Sequence, residues 1–239
     1  PETPQGESPF DHFVYVIAGD GCLQEGITSE ASSLAGTQHL GNLILIWDDN
    51  QISIEDDTNI AFNEDVLKRY EAYGWHTQTV DWTNGGSDYK EDPEALYNAI
   101  VEAQKVTDQP SIIRLSTIIA WPAPKAQGTG AAHGSALGAD EIKGLKENLG
   151  LDPEKDFQVD DEVIDYTRGN AAKRAAEARE AWQPAFDSWR ENAGERADLF
   201  DRLIKRELPE GWEEALPAFG TEKGLATRAA SGAVLTALA

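Results

Sequence analysis

Residues 14–54, VYVIAGDGCLQEGITSEASSLAGTQHLGNLILIWDDNQISI, constrain the fold more than any other stretch. An apolar run at 14–18 stops at Gly19-Asp20-Gly21, and a second at 43–47 stops at Asp48-Asp49-Asn50. Between them lies a segment of helical character. Two short apolar runs bounded by turn residues, with a helix between, predict a βαβ unit of a parallel sheet. The polar residues then collect at the carboxyl ends of two strands, the edge where open α/β sheets place ligands.

Those ends carry a specific chemistry. Gly19 and Gly21 let the backbone turn tightly and approach a ligand closely. The helix expected to follow would begin with free N–H groups, an anion site. Asp20 would repel a phosphate there, and a hard divalent cation removes the conflict. Mg²⁺ takes carboxylate, amide and carbonyl oxygens together with ligand phosphates, and Ca²⁺ or Mn²⁺ could replace it. Asp20, the side chain of Asn50 and the backbone carbonyl of Ile52 are the candidate ligands. Gly-Asp-Gly alone is an ordinary tight turn and Asp-Asp-Asn an ordinary Asx-turn; both at adjacent strand ends point to a diphosphate held by a metal.

Gly-Asp-Gly followed at this distance by Asp49-Asn50 resembles the motif of thiamine-diphosphate enzymes. Within that superfamily the chain is most similar to transketolase, through GDGCLQEGITSEASSLAG, LGNLILIWDDNQISI, NEDVLKRYEAYGW and AHGSALGADEI in the family's order. The resemblance implies a two-carbon ketol transfer between sugar phosphates in the pentose phosphate pathway, with thiamine diphosphate and Mg²⁺, by a homodimer whose active site lies at the subunit interface. It gives His133 a contact to both diphosphate and sugar, and hence a catalytic, cofactor-binding and substrate-binding role. A histidine can donate a hydrogen bond to a diphosphate, and this residue type exchanges protons near neutrality. The resemblance also makes Ile119 a cofactor-packing aliphatic. Glu25, expected in the first turn of a helix at 23–40, would join an acidic network linking the two active sites. The segment Trp121-Pro122-Ala123-Pro124-Lys125 departs from the glycine-rich stretch common in the family.

The family's chains carry a further strand and a glycine-rich cofactor segment upstream, and a catalytic glutamate downstream in the partner subunit's second domain. This chain is therefore expected to begin inside a domain and to be inactive alone. Alternatives are another thiamine-diphosphate enzyme, such as deoxyxylulose-phosphate synthase, or a non-catalytic cofactor-binding or assembly subunit.

Composition narrows the partners. Net charge is −23, from 43 acidic and 20 basic residues, which opposes binding to nucleic acid or an anionic membrane. One cysteine excludes an internal disulfide framework and fits the cytoplasm; Cys22 itself is expected to be a small buried hydrophobe. No apolar run approaches a membrane span. The absence of Met suggests processing or an excised piece.

Further along, the pattern predicts a helix at 66–73, a strand at 75–80, a helix at 93–105, a strand at 111–116 and a long loop at 117–139. With the first unit this makes a doubly wound parallel α/β sheet, an incomplete thiamine-diphosphate-binding domain followed by a helical linker. In the helix after Gly-Asp-Gly, Ile27, Ala31, Leu34 and Ala35 share one face, expected against the sheet. Residues 1–149 are assigned to the diphosphate-anchoring domain after an exposed lead-in at 1–9, 150–219 to the linker, and 220–239 to the start of a pyrimidine-binding domain. The linker holds a helix at 160–192, kinked or split at Pro184, with Trp182, Phe186 and Trp189 as a packing stripe. A second helix follows at 195–207 with Leu199, Leu203 and Ile204 inward.

Overall fold

A computed structural model of the protein describes residues 8–54, 56–86, 88–221 and 224–238. The lead-in is thus outside the described residues as far as residue 7. The described residues form two compact units, one within residues 10–173 and one within residues 8–9 and 174–238.

The first unit is built on four parallel strands: β1 (Val14–Gly19), β2 (Leu43–Asp49), β3 (His76–Asp81) and β4 (Ser111–Ser116). Their order across the sheet is β1-β2-β4-β3. The connections are α1 (Asp20–Gln24) with α2 (Gly26–Thr37), α3 (Val66–Ala72), and α4 (Pro93–Lys105). The chain advances from β1 through β2 to β3 and steps back to β4, and right-handed crossovers send helices to opposite faces when the direction reverses. One face holds Leu45, Trp47 and Ile112 under Ala35, Val66 and Tyr70; the other holds Ile44, Ile113 and Leu115 under Ala99 and Ala103. Alternate residues of one strand serve opposite faces, so a sheet covered on both sides reads as a continuous apolar run. The doubly wound parallel architecture is as the sequence predicts. Asp65 caps α3 through Lys68 N (3.2 Å), and Asp92 caps α4 through Ala95 N (2.9 Å) ahead of Pro93.

Several expectations are corrected. The helix after Gly-Asp-Gly is broken: α1 ends after five residues, and Glu25 (φ −67°, ψ 134°) is extended before α2 begins. The buried side of α2 is Ser32, Ala35 and Gly36, whereas Ile27 and Leu34 are 69% and 60% exposed. The cause is close approach: a Cβ on Gly36 would lie 1.9 Å from the Tyr73 carbonyl oxygen. Trp75 Nε1 also donates to the Ser32 carbonyl (2.8 Å) on this side. Cys22 is exposed rather than buried. Asp48 and Asp49 belong to β2 and not to the turn after it, because they pair with Leu115 and Ser116 of β4.

Beyond the sheet come α5 (Ala139–Asn148), α6 (Asp161–Asn192), α7 (Glu195–Lys205) and α8 (Thr227–Leu238). Helix α6 continues through Pro184 without dividing. Trp182, Phe186 and Trp189 stack along it, and Phe200 of α7 meets Phe186 and Trp189 edge-on at 5.7 and 5.6 Å. Packing through Phe200 and the buried Ala197 leaves Leu199, Leu203 and Ile204 exposed, against expectation. Among the described residues no helix is long and apolar enough to cross a membrane.

Candidate functional site

Parallel pairing aligns Gly19 with Asp48 across β1 and β2, and Asp49 with Ser116 across β2 and β4. The polar ends of three strands therefore lie side by side. Asp20, the first residue of α1, is 7% exposed. Its Oδ2 accepts the backbone N–H groups of Asn50 (3.1 Å) and Gln51 (2.9 Å), and its Oδ1 accepts the indole N–H of Trp47 (3.0 Å). The turn after β2 is thereby tied to the start of α1. Gln51 sits in the left-handed region (φ 61°), the conformation that folds the turn back onto Asp20.

Asn50 is held locally. Its Oδ1 accepts Ile52 N (3.0 Å) and its Nδ2 donates to Asp48 Oδ2 (3.2 Å). Ile52 is buried and bridges Asp57 across the loop. Thr117, the first residue after β4, donates its hydroxyl to Asp48 and its amide to the Asp49 carbonyl (3.0 Å).

Burial, followed by the charge of Asp49, pushes the Asp20 carboxyl up to about 6, although three N–H donors favour its ionised form. Desolvation therefore outweighs hydrogen bonding here. Asp49, 4% exposed, receives Arg114 Nε (2.5 Å) and Ser116 Oγ (3.4 Å). The Arg114 guanidinium lies over the Trp47 ring, 5.5 Å from its centroid. Two cavities flank this cluster. One of about 280 Å³ is lined by Asp20, Trp47, Asp49 and Arg114; another of about 430 Å³ is lined by Asn50, Asp81, Arg114 and Thr117.

The donor set suits a hard cation. A carboxylate oxygen offers two acceptor sites; Asp20 Oδ2 uses both, while Oδ1 uses one for Trp47. Asn50 Oδ1 likewise accepts Ile52 N and has a further acceptor site. Among the described residues no group of three or more His, Cys, Asp or Glu side chains is placed to hold a metal. A cation here would depend on one carboxylate, amide and carbonyl oxygens and a ligand's phosphates, the pattern Mg²⁺ favours. A Cβ added at Gly19 would meet no atom within 4 Å, so protein does not fill the space beside this backbone.

Glycine φ angles do not make the turn, since Gly19 is at φ −89° and Gly21 is not among the positive-φ glycines. Nor is there a long helix with its dipole at this point, because α1 has five residues. Glu25 is exposed between α1 and α2. Ile119 is half-buried, and its carbonyl accepts Gly128 N (2.9 Å). His133 is exposed at the end of a short 3-10 turn (Gly130–Ala132) and lines neither cavity. The structure thus joins Asp20, Asn50 and the Ile52 turn by hydrogen bonds, while His133 and Glu25 line neither cavity beside them.

Sequence reasoning missed Trp47, Asp49 and Arg114. Alternation carried the only signal: Trp47 and Asp49 are two apart on β2, and Arg114 and Ser116 two apart on β4. Their union depends on a register between distant segments.

Residues 2–209 match the family model of the transketolase thiamine diphosphate binding domain. The chain is 54% identical to the transketolase of Mycobacterium bovis over 239 residues, covering all of this chain and 33% of that protein. It is 44% identical to transketolase 2 of Saccharomyces cerevisiae over 227 residues, or 95% of this chain and 32% of the relative. The solved transketolase of Leishmania mexicana superposes with a TM-score of 0.76 at 36% identity, over 99% of this chain and 34% of the other. A Pichia stipitis transketolase in complex with sedoheptulose 7-phosphate gives 0.74 at 42% identity, over 95% and 32%. The chain spans about a third of the length of the curated relatives it matches.

Proposed function

From the premise that this chain belongs to the transketolase family, as its thiamine diphosphate binding domain, we propose that it supplies the diphosphate-anchoring half of a ketol-transferring site. The reaction is the transfer of a two-carbon ketol unit between sugar phosphates, within the larger protein that the relatives represent. Thiamine diphosphate, when bound, would supply the nucleophilic carbon and the electron sink that a ketol transfer needs. The chain's own residues bind and orient. Asp20 and Asn50, with the Ile52 carbonyl, would hold Mg²⁺, and the Gly19 and Gly21 backbone would face the diphosphate. Ile119 would pack on the cofactor. His133 would contact diphosphate and sugar and move a proton at its imidazole.

The observation carrying this reading is the fixed pair of oxygens: Asp20 Oδ1 and Asn50 Oδ1, each held by a hydrogen bond and each with a further acceptor site. We further read a homodimer with the site at its interface and Glu25 in an acidic network there. Residues 150–219 are read as a linker, 220–239 as the start of the next domain, and the setting as cytoplasmic. The test is calorimetric titration of the natively purified protein with thiamine diphosphate, with and without Mg²⁺. Asp20→Asn and Asn50→Ala are expected to abolish the Mg²⁺-dependent binding; unchanged Mg²⁺-dependent affinity in both variants overturns the assignment.

A further inference from the structure

The side chains behind Asp20 form a connected strut. Asp49, almost fully buried, takes Arg114 Nε at 2.5 Å; Arg114 covers the face of Trp47 with its carbon Cζ 5.5 Å from the ring centroid; Trp47 Nε1 donates to Asp20 Oδ1 at 3.0 Å. The register explains the alignment, since Trp47 and Arg114 are paired residues on β2 and β4 and their side chains share one face. Trp47 is itself 6% exposed, and its ring is packed in the core with Leu45, Val66 and Ile112. The indole can therefore hold one direction for its N–H.

That direction matters because of how the carboxylate is shared. Both acceptor sites of Asp20 Oδ2 are taken by the Asn50 and Gln51 amides, so a cation can reach only Oδ1. Trp47 occupies one acceptor site of Oδ1 and so leaves one orientation for the other. Resting on the reading of Asp20 as a cation ligand, we propose that Asp20 Oδ1 is the metal-facing oxygen and that Trp47, braced by the Asp49–Arg114 pair, is the positioning residue that aims it. Partners of this kind fix the orientation of a ligand without touching the metal, and their loss lowers metal affinity.

The variant that tests the N–H is Trp47→Phe, which keeps an aromatic ring under Arg114 and removes the donor along with part of the bicycle, a loss of buried ring that Trp75→Phe shares. Mg²⁺ affinity is read by calorimetry on the natively purified protein with saturating thiamine diphosphate, and the fold by circular dichroism and the thermal midpoint. Trp47→Phe is expected to weaken Mg²⁺ binding by roughly 10–100-fold. Trp75→Phe, which removes another buried indole N–H bonded to the Ser32 carbonyl, is expected to leave it unchanged. Equal losses in both variants, or an unchanged affinity in Trp47→Phe while Asp20→Asn abolishes binding, overturn the positioning role alone. Unchanged affinity in Asp20→Asn overturns the cation reading beneath it. If Trp47→Phe does not fold, the wild-type protein still decides. The Trp47 indole N–H resonance is expected to shift when Mg²⁺ is added, and a resonance indifferent to Mg²⁺ rules the contact out.

Discussion

Single residues in this chain show where the fold has no slack. A Cβ at position 36 would sit 1.9 Å from the Tyr73 carbonyl oxygen, and one at position 41 would sit 2.1 Å from that of Thr107. Both obstacles are backbone and cannot swing away. Gly36→Ala is expected to destabilise the protein by on the order of 3 kcal/mol, seen as a lower urea midpoint; a midpoint equal to wild type would contradict the close approach. Gly169 lies within α6 with nothing near its missing Cβ. Gly169→Ala should therefore raise stability by about 0.5–1 kcal/mol. The candidate site residues divide in the same way. Asp20 and Asn50 are legible because Gly-Asp-Gly and Asp-Asp-Asn are local motifs. Trp47 and Arg114 are not, because what gives them a role is contact with each other.

Elements reveal how a helix chooses its buried face. The apolar side of α2 carries Ile27 and Leu34, yet its small side is the buried one because Ser32, Ala35 and Gly36 admit Tyr70 and Tyr73 of the α3 segment and Trp75 after it at short range. The stretch at 117–139 is likewise more ordered than its composition suggests. Glu141 of α5 accepts the amides of Lys125 (2.6 Å) and Ala126 (2.7 Å), Asn148 donates to the Pro122 carbonyl (2.7 Å), and Ala123 is fully buried. Those two amides hold the Glu141 carboxyl below the ordinary glutamate range. A depressed folded-state value means that this contact contributes its stability above the ordinary glutamate pKa and loses it as pH falls through the depressed value. Amide-exchange protection at Lys125 and Ala126 should therefore be constant from neutral pH down to mildly acidic conditions and fall in stronger acid. Glu141→Ala should remove it at every pH. Protection that persists in that variant would show that the loop is held by something else.

For the whole molecule, the sheet presents three polar strand ends on one edge, where the proposed function places a diphosphate and a cation. The chain spans about a third of its relatives, and a ketol transfer needs groups that act on the cofactor's pyrimidine and grip the sugar phosphate. The purified 239-residue chain is therefore expected to show no transfer from xylulose 5-phosphate to ribose 5-phosphate. Measurable turnover by it alone would overturn this division of labour.

Local order was written in the sequence: strands at apolar runs, Pro93 at the start of α4, the parallel alternation of strand and helix, and the two polar motifs at adjacent strand ends. Each depends on residues close together in the chain, where spacing and turn chemistry decide the outcome. Tertiary structure alone decided which face of α2 is buried, that Asp48 and Asp49 extend β2, and that Asp49, Arg114 and Trp47 stand behind Asp20. The last two follow from the register of β2 against β4, whose paired residues Trp47 and Arg114 lie far apart in sequence, and the first from the close approach of α2 to Tyr73 and Trp75. A one-residue slip would turn every one of those side chains to the opposite face, and no local pattern encodes that choice.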